Sequence, residues 1–291
     1  MRYLKLQDNN EYKYCYKIAD SLYQSDTPIN GLEYLLQAHF QFGNNTKSSI
    51  STNHKPATAF NKISYQQLTP IGENIYPLQV LTNAKGNYKV KVKSDLFCID
   101  KNTVIADIAK IDMTILMGPV FILQLAQNQV FCLHASAFIV KNTCFILMAN
   151  SGTGRSTIAR HIQQSHFGNR IADDIVPIKI VKDKITLLAS FPQLKLNQEQ
   201  QYKGDDICQN TVLLFTQKST SKTTLLNIDR FIAIKKLIQH SVATKLFSGQ
   251  ELHNHLLFCH KTSEQTQAYQ LNYQHSKNSL KELQDLLDDI S

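Results

Sequence analysis

The richest chemistry in the sequence lies in Phe145-Ile-Leu-Met-Ala-Asn-Ser-Gly-Thr-Gly-Arg-Ser-Thr-Ile158. An apolar run ends, two glycines follow close together, and a hydroxyl pair then opens a stretch with helical periodicity. Such glycines let backbone amides turn inward around an anion, and the free N–H groups and dipole of the next helix favour phosphate. The phosphate-loop pattern is Gly, four residues, Gly, Lys, then Ser or Thr, set between a strand and a helix. Ala149, Asn150, Ser151, Gly152, Thr153, Gly154, Arg155, Ser156 and Thr157 fill that span. Ala149 replaces the first Gly and Arg155 replaces the Lys. Arginine keeps the charge, but its planar fork is no direct substitute for a compact ammonium. Ser156 stands where a hydroxyl would hold Mg²⁺. Taken alone, the stretch also reads as a chance Gly-rich strand-to-helix turn.

Two neighbours add weight. Asp173 and Asp174 end the strand-like Arg170-Ile-Ala-Asp-Asp-Ile175. Paired acids at a strand end beside a phosphate loop can hold Mg²⁺ and accept a proton from an attacking hydroxyl; the bland alternative is a solvated turn or a helix cap. His134 lies in Leu133-His-Ala-Ser-Ala137, a segment entering the same region, where a lone His is otherwise a satisfied core residue. The three features in this order are unlike an accident.

The elements that must position them follow from patterning. Thr143 to Met148 is a buried-strand run, Ile158 to Ser165 has helical periodicity, and Ile171 to Val176 is another strand. Strand, Gly-rich turn, helix, strand is the local order of a nucleotide-binding α/β unit. Upstream, Met113 to Leu125 is apolar around Gly118-Pro119, and Val130 to Val140 is strand-like; downstream, Arg230 to His240 and Leu280 to Ile290 are amphipathic and read as helices. Before Asp112 the chain is mostly β in character. Tyr76 to Leu81, Tyr88 to Lys93 and Leu96 to Ile99 read as strands, and Ile18 to Tyr23 and Gly31 to Phe40 as short helices or strands. Residues 43 to 60 are polar and turn-rich, an expected exposed loop. The expected division is therefore a mostly β unit over 1–110 and an α/β unit over 111–291.

Composition excludes other classes. The 291 residues are 43% hydrophobic and 19% charged, too apolar for a disordered chain and enough for one large or two ordinary cores. No apolar run approaches the roughly 18–20 residues that span a bilayer, and the N-terminus turns polar before a signal core forms. The net charge of +8 suits an anionic partner but names none. Six Cys without a Cys-x-x-Cys pair, several in apolar strings, read as buried free thiols of a reducing compartment. A cytoplasmic protein is expected. The chain lacks Trp and has no aromatic-plus-basic RNA motif, so neither a nucleic-acid nor a membrane partner is expected. His253, His255, Cys259 and His260 match no structural zinc spacing and read as solvated histidines on a helix or loop.

Gly118-Pro119, Leu133-His134-Ala-Ser-Ala137, the modified loop 149–157, Ala172-Asp173-Asp174 and Phe191-Pro-Gln-Leu-Lys195-Leu196 together resemble the catalytic domain of the HPr kinase/phosphorylase family, nearest to the bacterial HPr-kinase-like proteins, some of which accompany ribosomal peptide clusters. Ile238 to Ser241 and Tyr269 to Tyr273 fit the same layout less specifically. The likeness covers about residues 112–290. It implies a P-loop kinase domain of HPr-kinase/PEP-carboxykinase-like type, with ATP and Mg²⁺ as cofactors. It further implies that residues 149–157 cradle the ATP phosphates, with Arg155 at the lysine's place. Ser156 and Asp173 would be metal ligands. Asp173 and Asp174 would include the base that activates a Ser or Thr hydroxyl, His134 would line that site, and Lys195 would touch phosphate or substrate, unless it is a solvated surface lysine.

The resulting expectation is an ATP- and Mg²⁺-dependent kinase acting on a Ser/Thr hydroxyl of a protein or peptide substrate, with a homo-oligomer left open. Ala149 and Arg155 keep a second class open, a catalytically degenerate nucleotide-sensing or peptide-binding module. A small-molecule kinase on the same fold is the third.

Overall fold

In a computed structural model of the chain, backbone and side chains are described for 78–83, 87–92, 97–99, 115–188, 191–193, 196, 210–247, 249–274 and 279–291, and the backbone also for 14–18, 21–25, 48–51, 62–71, 74–77, 95–96 and 103–105. The chain divides into two compact units, Met1–Val130 with Ala243–Asn254, and Phe131–Val242 with His255–Ser291. The first unit thus takes in 111–130 and a short later segment. An apolar stretch reads alike whichever core it enters, so patterning alone cannot assign 115–130.

The first unit holds an eight-stranded sheet. Its strands are β1 (Tyr14–Ile18), β2 (Ser21–Ser25), β3 (Ser48–Ser51), β4 (Lys62–Ile71), β5 (Asn74–Thr82), β6 (Tyr88–Val92), β7 (Asp95–Ile99) and β8 (Thr103–Ile105). They lie in the order β1-β2-β3-β8-β7-β6-β5-β4. The alternation in β6 buries Tyr88, Val90 and Val92 and turns Lys89 and Lys91 outward, the solvated basic face its pattern implies. Strand β3 falls within 43–60, where composition suggests only a loop; Ser-Ser-Ile-Ser carries no clear alternation, and its pairing partners β2 and β8 are distant in sequence. The other residues of that stretch, and Gly31 to Phe40, lie outside the described residues. After Leu116–Val120, a wide π-type turn broken at Gly118, comes helix α1 (Phe121–Gln127). Pro119 has no N–H to give, so the α-helical ladder begins only beyond it.

The second unit is a seven-stranded mixed sheet in the order β12-β11-β9-β10-β13-β15-β14. The strands are β9 (Phe131–Val140), β10 (Thr143–Ala149), β11 (Asn169–Val181), β12 (Lys184–Leu187), β13 (Asn210–Lys218), β14 (Thr224–Asn227) and β15 (Gln267–Tyr273). The central β10, buried along its whole length, runs parallel to β13 and antiparallel to β9. Parallel strands covered on both faces are continuously apolar, as Cys144 to Met148 is.

The helices that follow are α2 (Arg155–Gln164) and α3 (Arg230–His240), α4 (Gly249–Gln265), which starts in the first unit and continues into the second, and α5 (Ser279–Asp288). Ile158, Ala159 and Ile162 of α2 and Leu283 and Leu287 of α5 pack with Phe138, Phe145, Leu147, Leu214 and Leu271 in one core. Gly168, between α2 and β11, is required sterically, since a Cβ there would lie 2.5 Å from the Ile139 carbonyl oxygen. Cys98, Cys132, Cys144 and Cys259 are buried free thiols. Among the described residues, no helix is long and apolar enough to cross a membrane.

Candidate functional site

The phosphate-type loop forms where β10 stops. Ala149 is the last buried residue, and Asn150, Ser151 and Gly152 are exposed. Gly152 at φ +76° and Gly154 at φ +98° take the left-handed backbone that L side chains resist, so these two glycines make the turn possible. The amide of Thr153 closes the turn on the Asn150 carbonyl at 3.2 Å. Gly154 is the N-cap of α2 and supplies no side-chain cap, and the first α-helical bond runs from Ile158 N to Gly154 O at 2.9 Å. The α2 N-terminus thus keeps amide N–H groups and positive dipole for an anion.

The acid pair reaches the loop through strand pairing. Strand β11 lies antiparallel to β9, with Asp173 opposite Ser136 and Asp174 opposite Ala135. Asp173 is 2% exposed and densely bonded. Its Oδ1 accepts from Ser136 Oγ at 2.5 Å and from Ser156 Oγ at 2.9 Å, and its Oδ2 pairs with the buried Arg170 guanidinium. Its amide donates to Gln193 Oε1 at 2.9 Å, and Gln193 Nε2 donates in turn to the Ile175 and Phe191 carbonyls. In a regular strand, residues three apart point to opposite faces. A register shift between Arg170 and Ala172 adds the odd residue that brings Arg170 and Asp173 to one side.

Asp174 is built differently. Its φ of +105° is a strained position for a side-chain-bearing residue. The carboxylate is 28% exposed, with Oδ1 3.3 Å from His134 Nε2 and 3.7 Å from Arg155 Nη2. Arg155 is the junction of the site. Only 9% exposed, it donates from Nη1 to the His134 carbonyl at 2.7 Å and sets Nη2 2.8 Å from His134 Nε2. A guanidinium has donors only, so a neutral ring takes this bond on Nε2. Burial pulls the Arg155 pKa down, while Asp174 and then Asp173 push it back up.

The C-terminal end of α3 completes the surroundings. Gln239 Nε2 donates to Asn150 Oδ1 in the loop at 3.3 Å. His240 stacks against Phe215 of β13, and Lys236 Nζ lies 5.5 Å from the same ring. The His240 pKa falls to about 4, first through burial and then through the charges of Lys236, His134 and Arg155.

His134, the loop 149–157, Asp173 and Asp174 lie in one unit, while Lys195 lies outside the described residues. Sequence reasoning misses Arg170, Ser136, Gln193, Lys236 and Gln239. The first three lie inside segments already singled out, but their roles depend on the bulge and on cross-strand register, which leave no local signature. The histidine-rich stretch of α4 is not uniformly solvated as its polar pattern suggests, since His255 and Cys259 are buried. His255 turns inward, with Nε2 2.8 Å from Ser241 Oγ and its ring edge-on to Phe131, and no group of three or more metal-ligating side chains occurs among the described residues.

Comparison with protein-family models and with curated proteins gives no match. Among solved structures, the chain is similar to the Hpr(Ser) kinase/phosphatase from Coxiella burnetii. The identity is 6%, the TM-score 0.32, and the match covers 54% of this chain and 88% of that one. The likeness is weak. It does not carry function across.

Proposed function

We propose that this chain is an ATP- and Mg²⁺-dependent phosphotransferase acting on a hydroxyl of a protein or peptide. The observation that carries the reading is the 2.9 Å bond from Ser156 of the loop to Asp173, which ties the exposed glycine turn to the acid pair. Asp173 and Asp174 lie within β11, which runs on to Val181 and does not end at them as its sequence suggests, and there phosphates held by loop amides would meet the acid pair.

The residues fit a polyphosphate. Loop positions 150–152 are exposed, and a Cβ added at Gly152 would meet nothing within 4 Å, so an anion has room to approach. They fit a metal less completely. The Asp173 oxygens are already shared by two hydroxyls and Arg170, so an ion held by Ser156 would exchange with an existing bond. Bound Mg²⁺ would neutralise phosphate charge. Asp174, at the exposed rim, is the better base, since Asp173 is committed to Arg170. His134 and Arg155 hold the Asp174 carboxylate in place and Arg155 balances its charge. Catalysis of this kind is mostly positioning and electrostatics.

The test is transfer of labelled γ-phosphate to peptide and protein hydroxyls. Asp174→Asn should lower transfer by at least about a hundredfold, the range general-base loss gives, while nucleotide binding and melting temperature stay near wild type. Unchanged transfer in Asp174→Asn would remove the base, and a wild-type protein that binds no nucleotide would remove the whole reading.

A second reading has its own support. The two Arg155 fork nitrogens are engaged within the protein, at His134, where a phosphate loop would present its cation outward. That favours a nucleotide- or phosphate-sensing module without turnover.

A further inference from the structure

We propose, resting on the polyphosphate-binding reading above, that Lys236 of α3 supplies the compact cation that the loop does not present from its own sequence. Within 149–157 the single basic residue is Arg155. Its guanidinium is tied to the His134 carbonyl and ring nitrogen and is almost wholly buried, so it lies beneath the turn and not at its exposed mouth. Loop amides and one helix terminus bring only partial charge to a triphosphate. A full side-chain charge at the mouth, beside any Mg²⁺ that accompanies the nucleotide, would have to come from outside the loop.

Helix α3 brings one. Gln239 is hydrogen-bonded to Asn150, which fixes the last turn of α3 against the exposed part of the loop. One turn earlier, Lys236 is half-buried and lies over Phe215. In the parallel register Phe215 pairs with Met148, next to the last residue of β10, so the ammonium rests beside the root of the loop. It is close enough for its charge to act on His240, as do His134 and Arg155. A cation–π rest over an aromatic face is worth about 0.5–2 kcal/mol and is readily exchanged for a charged phosphate oxygen. The flexible four-carbon stem makes such an exchange possible where the Arg155 fork is locked. Its neighbour Lys235 faces away, exposed over Phe231 at 4.5 Å, and so serves as an internal control of equal charge.

The experiment is calorimetric titration of the full chain with MgATP, MgADP, AMP and inorganic triphosphate at one fixed ionic strength. It compares wild type, Lys236→Ala, Lys236→Arg and Lys235→Ala, each first shown to melt like wild type. Loss of a charged contact to phosphate predicts that Lys236→Ala weakens ATP and triphosphate by at least about tenfold. AMP should stay within about twofold, Lys236→Arg should recover most of the loss, and Lys235→Ala should match wild type, since a lone exposed charge contributes little. Equal losses from both alanine variants would mean a diffuse field and overturn the assignment. So would an unchanged Lys236→Ala. In both cases a wild type that binds ATP leaves the phosphotransferase reading standing. A wild type that binds neither ATP nor triphosphate overturns both. Should Lys236→Ala melt early, Lys236→Gln, which keeps the stem over Phe215, replaces it under the same criteria.

Discussion

At position 155 one side chain must satisfy a backbone carbonyl, an imidazole nitrogen and a nearby carboxylate within a nearly buried space. Guanidinium does this because its donors diverge from a flat fork. A lysine ammonium offers three donors from a single atom and cannot reach both the His134 carbonyl and its ring. Arg155→Lys should therefore cost about 1.5–3 kcal/mol of stability, the worth of a charge-assisted hydrogen bond left unmade. Its effect on chemistry separates the two functional readings. An enzyme built around the arginine should lose at least about tenfold in transfer, roughly the same free energy expressed as a rate. A degenerate loop should gain activity from near zero when the phosphate-loop lysine is restored. Chemical denaturation and a γ-phosphate transfer assay on the one variant read both outcomes. The glycines are visible in the sequence because the left-handed turn demands them, and the hydroxyl and the acid pair because they follow that turn at short spacing. The Arg170 partner of Asp173 is hidden, because it needs a bulge that no residue in Arg170-Ile-Ala-Asp announces.

At the scale of elements, the same contrast holds between what a segment is and what it packs on. The amphipathic period places α3 at Arg230–His240, and Asp229 caps it by accepting from the Ile232 amide at 2.9 Å. Nothing within those residues indicates that its last turn meets Asn150, which lies far away along the chain. That docking leaves a pH signature. His240 on α3 and His255 on α4 are both buried, and burial, the leading cause for each, lowers both to about 4. Around His240 the charges of Lys236, His134 and Arg155 act in the same direction. An imidazole whose folded pKa lies below its unfolded value near 6.5 binds fewer protons when folded. Stability is therefore unaffected above about pH 6.5 and falls as the pH drops from there toward 4, by up to about 1.4 kcal/mol per pH unit for each such histidine. Denaturant titrations at pH 7, 5.5 and 4.5 should show this decline in the second unit, and it should become shallower in His255→Gln. A stability that stays flat from pH 7 to 4.5 would contradict the buried neutral state of both rings.

At the scale of the whole molecule, the path of the chain between its two units is not simple. It passes from the first unit to the second at 130/131, returns at 242/243 and leaves again at 254/255. The first unit therefore depends on two late additions to its β-rich start, the apolar 115–130 and the short 243–254. In the first addition, Leu116, Met117, Val120, Phe121, Leu123 and Leu125 are essentially fully buried. The second is anchored by a buried hydrogen bond from Tyr88 Oη on β6 to Glu251 Oε2 at 2.9 Å. Neither partner looks remarkable in sequence, since a Tyr opening an alternating strand and a Glu early in a helix are both ordinary. A fragment begun at residue 111 would carry both additions without the sheet they complete. It would expose that apolar set and should aggregate or precipitate more readily than the full chain under the same conditions. The milder form of the same argument is Tyr88→Phe. It keeps the ring in its buried place and strips the hydroxyl, which leaves the buried Glu251 carboxylate short of a donor at a cost of about 1–3 kcal/mol. Because Glu251 lies in the returning segment, the loss should appear as earlier proteolytic cleavage within 243–254 as well as a lower melting temperature. Glu251→Gln in the wild-type background, whose amide oxygen can still accept from Tyr88, should cost much less. Equal proteolysis and melting in Tyr88→Phe and wild type would mean that the segment belongs to the first unit by proximity alone.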